Sequence, residues 1–255
     1  MTTGTLGTAV AVEMRKARAA RVILATTALL VAGLAVLAGS LTGAAMSGNQ
    51  EVLASLGAYA DERGWPLLTG VTAQITATGG LLAFGVGLSW LIGREFADGT
   101  ITGLFALPVS RPTIALAKLL VYLLWTVVVA AGIVLIIALA GVVIGLGAPD
   151  GDVLAALARQ FLLTVLTALV AVPVALAATL GRGLLPGIAT VVSLIVVAQV
   201  LAIAGAGAWF PVVAPALWSI DPGGVLPIQL ALVALIPIVF GALTVFCWAG
   251  LQLDR

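Results

Sequence analysis

Ten carboxylates, eleven basic groups, one cysteine and no histidine are the reactive side chains of this 255-residue sequence. Without histidine, neither Ser-His-Asp nor Cys-His catalysis can be assembled, and imidazole-ligated metal centres are excluded. A lone Cys247 makes neither an internal disulfide nor a Cys-rich zinc site. It lies in an apolar stretch and reads as a small packed hydrophobe. No glycine-rich phosphate loop with its Lys and Ser/Thr is present, so the chain cannot hydrolyse ATP itself. These residues point to a protein without catalysis, metal or cofactor of its own.

What polarity remains falls into two sets. Gln74, Thr78, Gln160, Thr164 and Gln199 sit inside long apolar stretches and are candidates to line a solute pathway. No carboxylate accompanies them at membrane depth, which weighs against proton-coupled carriers; sodium sites built from backbone stay open. The second set is the segment Gly93–Lys118, GREFADGTITGLFALPVSRPTIALAK. Arg94 and Asp98 lie one helical turn apart and suit an ion pair. A helix over Arg94–Leu107 puts Ile101, Leu104 and Phe105 on one apolar stripe, with Glu95, Phe96 and Thr100 beside it. Gly99 and Gly103 weaken that helix. Pro108 ends it, and Ser110, Arg111 and Pro112 turn the chain into the next element. Such a ridge suits a groove in a soluble partner. The alternative is an ordinary charged connector that only sets topology.

The elements that hold these residues follow from composition. The chain is 62% hydrophobic and only 8% charged, against roughly a quarter charged in soluble domains. So few charges cannot cover a water-facing surface, so the solvent must be lipid. Six stretches are long enough to cross it as helices, roughly 22–41, 71–93, 119–146, 153–180, 184–207 and 228–250. They are continuous apolar runs, without the alternation of a β-barrel strand. One transmembrane domain over 1–255 is expected, all-α.

Charge orients it. With the N-terminus in the cytoplasm, Arg15, Lys16, Arg18, Arg21, Arg94, Arg111, Lys118, Arg182 and Arg255 are inside. Only Arg63 and Arg159 are then outside. This is a strong positive-inside asymmetry, and an even number of spans returns the C-terminus to the cytoplasm. A net charge of +1 suggests no nucleic acid partner.

Before the first span, Val10, Met14 and Ala17 form one stripe and Arg15, Arg18 and Arg21 another. This fits a helix lying in the cytoplasmic membrane interface, with Met14, Arg15, Lys16 and Arg18 at its centre and lipid headgroups as partners. A short helix is expected over Gln50–Glu62, stopped by Gly64 and Pro66. The segment Ala208–Pro227 is too apolar for an exposed loop and too proline-rich for a span. It reads as a re-entrant hairpin, helices lying flat on the outer face, or a bulky capping loop. Pro173 and Pro237 are expected to interrupt spans four and six, as static kinks or as hinges.

The segment between spans two and three resembles the cytoplasmic loop of ABC-2 type transporter permeases, the membrane subunits of ATP-driven exporters. The positions that carry the resemblance are Glu95, Gly99, Thr100, Leu104, Pro108, Ser110, Arg111 and Lys118. The layout is also similar: six spans, a basic interfacial helix first, and outer re-entrant elements before span six. The resemblance implies that the 94–107 helix is a coupling helix docked on a separate P-loop ATPase subunit, which holds the ATP and Mg. It implies that the basic helix joins that contact, and that two permeases pair as a homodimer or heterodimer in the cell membrane (inner or plasma). The substrate would then be an amphipathic or hydrophobic drug, peptide or lipid, as in multidrug efflux. A secondary carrier and a non-transport assembly subunit are the rival functions.

Overall fold

The structure, a computed structural model, describes residues 3–106, 108–205 and 207–252. Among them it is helical, with no strand. Six helices are long and apolar enough to cross a membrane: Arg21–Met46, Gly64–Ala97, Arg111–Val143, Gly151–Leu180, Leu184–Ile203 and Pro227–Ala249. These are spans one to six. The chain is a multi-pass membrane protein. We call the end that carries the N-terminal helix proximal and the other end distal.

All six expected spans are present, but several ends move. Gly64 and Pro66 do not stop the preceding helix; they open span two. Gly64 takes φ +64, and Pro66 falls in the first turn, where a missing N–H costs nothing. The preceding helix is shorter than expected, covering Gln50–Ser55 and a 3-10 turn at Gly57–Tyr59. Asn49 caps it, accepting from the backbone N–H groups of Glu51 and Val52. Span three opens at Arg111 rather than Leu119, because Ser110 caps it and Pro112 pre-sets its first turn. Lys118 therefore lies inside the helix. Asp150 caps span four through the Val153 N–H. The N-terminal helix, Thr3–Ala19, is separated from span one by a single extended residue, Ala20.

Pro173 breaks span four as expected, between Val170 and Pro173. In span six the break lies at Ala234, one turn before Pro237, whose ring cannot donate back to the Val233 carbonyl. The span-four break tightens the turn, with the Ala171 N–H donating to Ala168 O. The Val172 N–H turns to Leu169 O, and the Tyr122 hydroxyl donates to Ala168 O at 2.7 Å. Other polar handles are likewise satisfied between elements. Trp125 Nε1 donates to Thr27 Oγ1 (2.8 Å), Ser89 Oγ to Leu184 O (2.7 Å), Trp65 Nε1 to Leu146 O (3.1 Å) and Trp248 Nε1 to Thr179 Oγ1 (3.0 Å). Lipid offers no substitute for these partners, so each bond fixes a helix register.

Span two is the most enclosed of the six, and spans five and six are the least. Phe84 of span two packs edge-on against Tyr122 and Trp125 of span three. Its small residues admit neighbours: a Cβ on Gly93 would lie 2.6 Å from the Gly183 carbonyl oxygen. That contact is with backbone and cannot yield by a side-chain rotation. Gly93→Ala is therefore expected to destabilise the bundle by about 1–3 kcal/mol. Gly39→Ala, with nothing within 4 Å of the added methyl, is expected to be neutral or slightly stabilising. Thermal unfolding of both variants in one detergent checks the difference.

Candidate functional site

The N-terminal helix packs on span three and turns Glu13 and Ala17 inward, with Val10 and Met14 half-buried beside them. Arg15, Arg18 and Arg21 face outward. Amphipathicity is thus as expected, except that a carboxylate stands on the buried stripe. Opposite it, Lys118 is 2% exposed and Glu95 7%. Lys118 Nζ donates to Glu13 Oε2 at 2.7 Å, Glu95 Oε1 at 3.0 Å and Leu91 O at 3.1 Å. Its three hydrogens are all used. Lys16 Nζ closes the ring, donating to Glu13 Oε1 at 2.8 Å and Glu95 Oε1 at 3.0 Å. Burial works against the Lys16 ammonium, yet the two carboxylates outweigh it and hold its pKa above the ordinary lysine value. Two ammoniums and two carboxylates alternate, so the cluster is neutral.

The remaining oxygen of Glu95 ties in the loop. Thr100 Oγ1 donates to Glu95 Oε2 at 2.6 Å. One buried cluster therefore joins the N-terminal helix, the proximal ends of spans two and three, and the segment between them. That segment is not one helix over Arg94–Leu107. Arg94, Glu95, Phe96 and Ala97 are the last turn of span two, Asp98 ends it, and Gly99 takes φ +67. A separate five-residue helix follows, Ile101–Phe105, ended before Pro108 rather than by it. The glycine conformation makes the corner that a continuous helix would need to avoid. Ile101 and Leu104 are buried within this chain, while Thr102, Gly103 and Pro108 face outward. Those two members of the expected ridge therefore point inward. Of Phe105 only the backbone is described; Leu107 and Arg255 lie outside the described residues.

The neighbouring side chains brace the corner. Arg94 pairs with Asp98 at 3.0 Å, as the spacing predicts, and lies 4.8 Å over the Trp90 ring. Phe96 packs edge-on against Trp248 of span six. Arg111 donates to the backbone of Leu251, and Arg182 to Gln252, holding the chain end beside spans three and four. Sequence alone gives Glu13 no role, and gives Lys118 only those of a motif position and a cytoplasmic charge. The available signal was Glu13 itself, three residues after Val10 and four before Ala17 on an otherwise apolar stripe. A carboxylate placed there calls for a buried cation.

The polar span residues separate into two places. Gln74, Thr78 and Gln199 line a cavity of about 310 Å³ between span two, span five and the Ala214–Ile220 helix. Gln160 and Thr164 are instead buried between spans two and four, with Gln160 Nε2 donating to Thr76 Oγ1 at 2.8 Å. They are not brought together with the first three.

Breaking a buried pair by removing one partner costs about 3–5 kcal/mol. Lys118→Met and Glu13→Gln are each expected to destabilise on that scale. The double variant is expected to cost less than the sum, with a coupling of about 0.5–3 kcal/mol. Unfolding of the four proteins in mixed micelles measures this; additive losses would show that the two residues act independently.

A family model described as ABC-2 family transporter protein matches residues 9–205. Among curated proteins, none matches the chain. The matched region holds the N-terminal helix from its middle onward, spans one to four, the buried charge cluster and the whole of span five. The chain belongs to the ABC-2 family of transporter proteins, the membrane permeases of ABC transporters.

Proposed function

We propose that this permease is the membrane subunit of an ATP-driven exporter, and that the outward face of the Ile101–Phe105 helix docks on the separate ATPase subunit. The carrying observation is the buried cluster of Glu13, Lys16, Glu95 and Lys118, bonded through Thr100 to that loop. A push on the loop reaches spans two and three through hydrogen bonds rather than through a flexible linker. On this reading the proximal end is cytoplasmic, with both termini there, in the inner or plasma membrane. Arg15 and Arg18, exposed on the N-terminal helix, face the ATPase or anionic headgroups. ATP and Mg sit on the partner, and two permease copies, identical or related, complete the transporter.

The cavity at Gln74, Thr78 and Gln199 supports a pathway for an amphipathic or hydrophobic solute. Its walls, including Leu81, Ile195 and Ala198, are mostly apolar with few polar groups, the pattern of a small-molecule site. Drugs, peptides and lipids share that chemistry.

The test is co-purification from native membranes in mild detergent, with ATP hydrolysis as the second readout. A P-loop ATPase near one-to-one stoichiometry is expected. Thr102→Glu, on the exposed face of the loop helix, is expected to lower recovery of the ATPase at least about tenfold while leaving the unfolding temperature unchanged, because a new charge at a docking face is poorly tolerated. Undiminished ATPase recovery with Thr102→Glu would remove the loop from the contact. Recovery of the chain alone, with transport in liposomes lacking any ATPase, would favour a carrier.

A further inference from the structure

A second cavity, of about 280 Å³, lies at the distal end between the opening turns of spans two and four and the Ala214–Ile220 helix. Its walls are aromatic and fixed. The Trp65 ring is held by its bond to Leu146 O and lies against Gly141, where a Cβ would come within 2.2 Å of it. Tyr59 lies against Gly70 in the same way, and its hydroxyl donates to Ser219 O at 3.3 Å. Trp218 lines the cavity from the Ala214–Ile220 helix.

The floor is Gln160, 3% exposed. Its Nε2 donates to Thr76 Oγ1 and Thr164 Oγ1, and its backbone carbonyl accepts from Thr164 Oγ1. Its Oε1 is buried and accepts from no described residue. The free capacity of this amide is therefore an acceptor, and it calls for a donor. At the rim stand Glu62, Asp152 and Arg159, all exposed. None forms an ion pair among the described residues. Asp152 lies about 12 Å above Gln160 along span four, at 1.5 Å per residue. Two carboxylates outnumber one guanidinium, and aromatic faces favour cations.

We infer that this cavity binds a protonated primary amine carried on an apolar body. The ammonium N–H groups meet Gln160 Oε1 at the floor, the rim carboxylates favour the cation's entry through their charge, the ring faces of Trp65, Tyr59 and Trp218 take the apolar part, and Arg159 suits a phosphate where the amine belongs to an ethanolamine headgroup. The volume matches a headgroup and its first methylenes rather than a whole lipid. The inference needs the pocket alone and does not depend on the ATPase contact.

The test is native mass spectrometry of the full chain released from detergent micelles, with phosphatidylethanolamine and phosphatidylcholine of matched acyl chains, and separately octylamine. The two lipids carry the same net charge, but only the ethanolamine headgroup donates N–H. Retention favouring phosphatidylethanolamine by about tenfold is expected. Gln160→Leu should abolish that preference. Glu62→Gln and Asp152→Asn, both on exposed rim residues, should each weaken binding about fivefold and keep the test open if Gln160→Leu unfolds. Phosphatidylethanolamine displaced by octylamine assigns the pocket to the membrane's own headgroups. Octylamine retained without lipid assigns it to free amphiphilic amines. Equal retention of the two lipids, with no octylamine bound and no effect of Glu62→Gln or Asp152→Asn, would overturn the inference.

Discussion

A lysine ammonium at 2% exposure inside an apolar bundle cannot stand without partners, and the proximal end of this permease is arranged around that requirement. Desolvating such a charge costs several kcal/mol, recovered only with near-ideal geometry and every hydrogen used. Lys118 meets that condition by drawing on two neighbouring elements: Glu13 from the N-terminal helix, and Glu95 and Leu91 O from span two. The demand dictates that the N-terminal helix turn Glu13 inward. It also dictates that span two remain helical through Glu95 and that span three begin early enough to include Lys118. Once Glu95 is fixed, Thr100 has its acceptor, and the loop corner at Gly99 follows.

The apolar remainder is governed by the same rule in milder form. Each tryptophan or tyrosine that enters the bundle brings one polar atom, and lipid cannot satisfy it. The structure answers with single bonds between helices, such as Tyr122 to Ala168 O and Trp248 to Thr179. At the break before Pro173 the Ala168 carbonyl accepts from both the Ala171 N–H and the Tyr122 hydroxyl. Gln160, whose Oε1 keeps unused capacity at depth, lines a cavity. The distal end thus carries the open cavities and the proximal end the closed ionic cluster.

Much of this was legible in the sequence. Six spans follow from apolar run length, because no other structure can bury that many uninterrupted apolar residues in lipid. The Pro-x-Ser-Arg turn after Pro108 and the Arg94–Asp98 pair follow from local chemistry, and the family from the motif around Glu95. Span ends were less legible. Hydropathy fades before the helix stops, so Gly64–Gly70 and Arg111–Lys118 read as connectors although both are helical, the second capped by Ser110. The end of span two at Gly99 is not legible, because a corner and a weak helix position look alike in sequence. Gln74 and Gln160 have the same residue type and similar surroundings in sequence; only packing shows that they line different cavities, Gln74 with Gln199 and Gln160 between spans two and four. The partnership of Glu13 with Lys118 spans 105 residues, beyond any local pattern.

The central claim is that the Ile101–Phe105 loop helix, the N-terminal helix and the proximal ends of spans two and three move as one body. In a Cys247→Ser background, spin labels at Ala11→Cys and Ala97→Cys, both on exposed positions outside the proposed docking face, report one distance within that body. Labels at Ala97→Cys and Gly151→Cys report a distance to the distal end. Double electron–electron resonance on the assembled transporter, with and without ATP and Mg, measures both. The account predicts that the first distance stays narrow and unchanged while the second shifts on ATP binding. A first distance that changes or broadens while the transporter still turns over would contradict it.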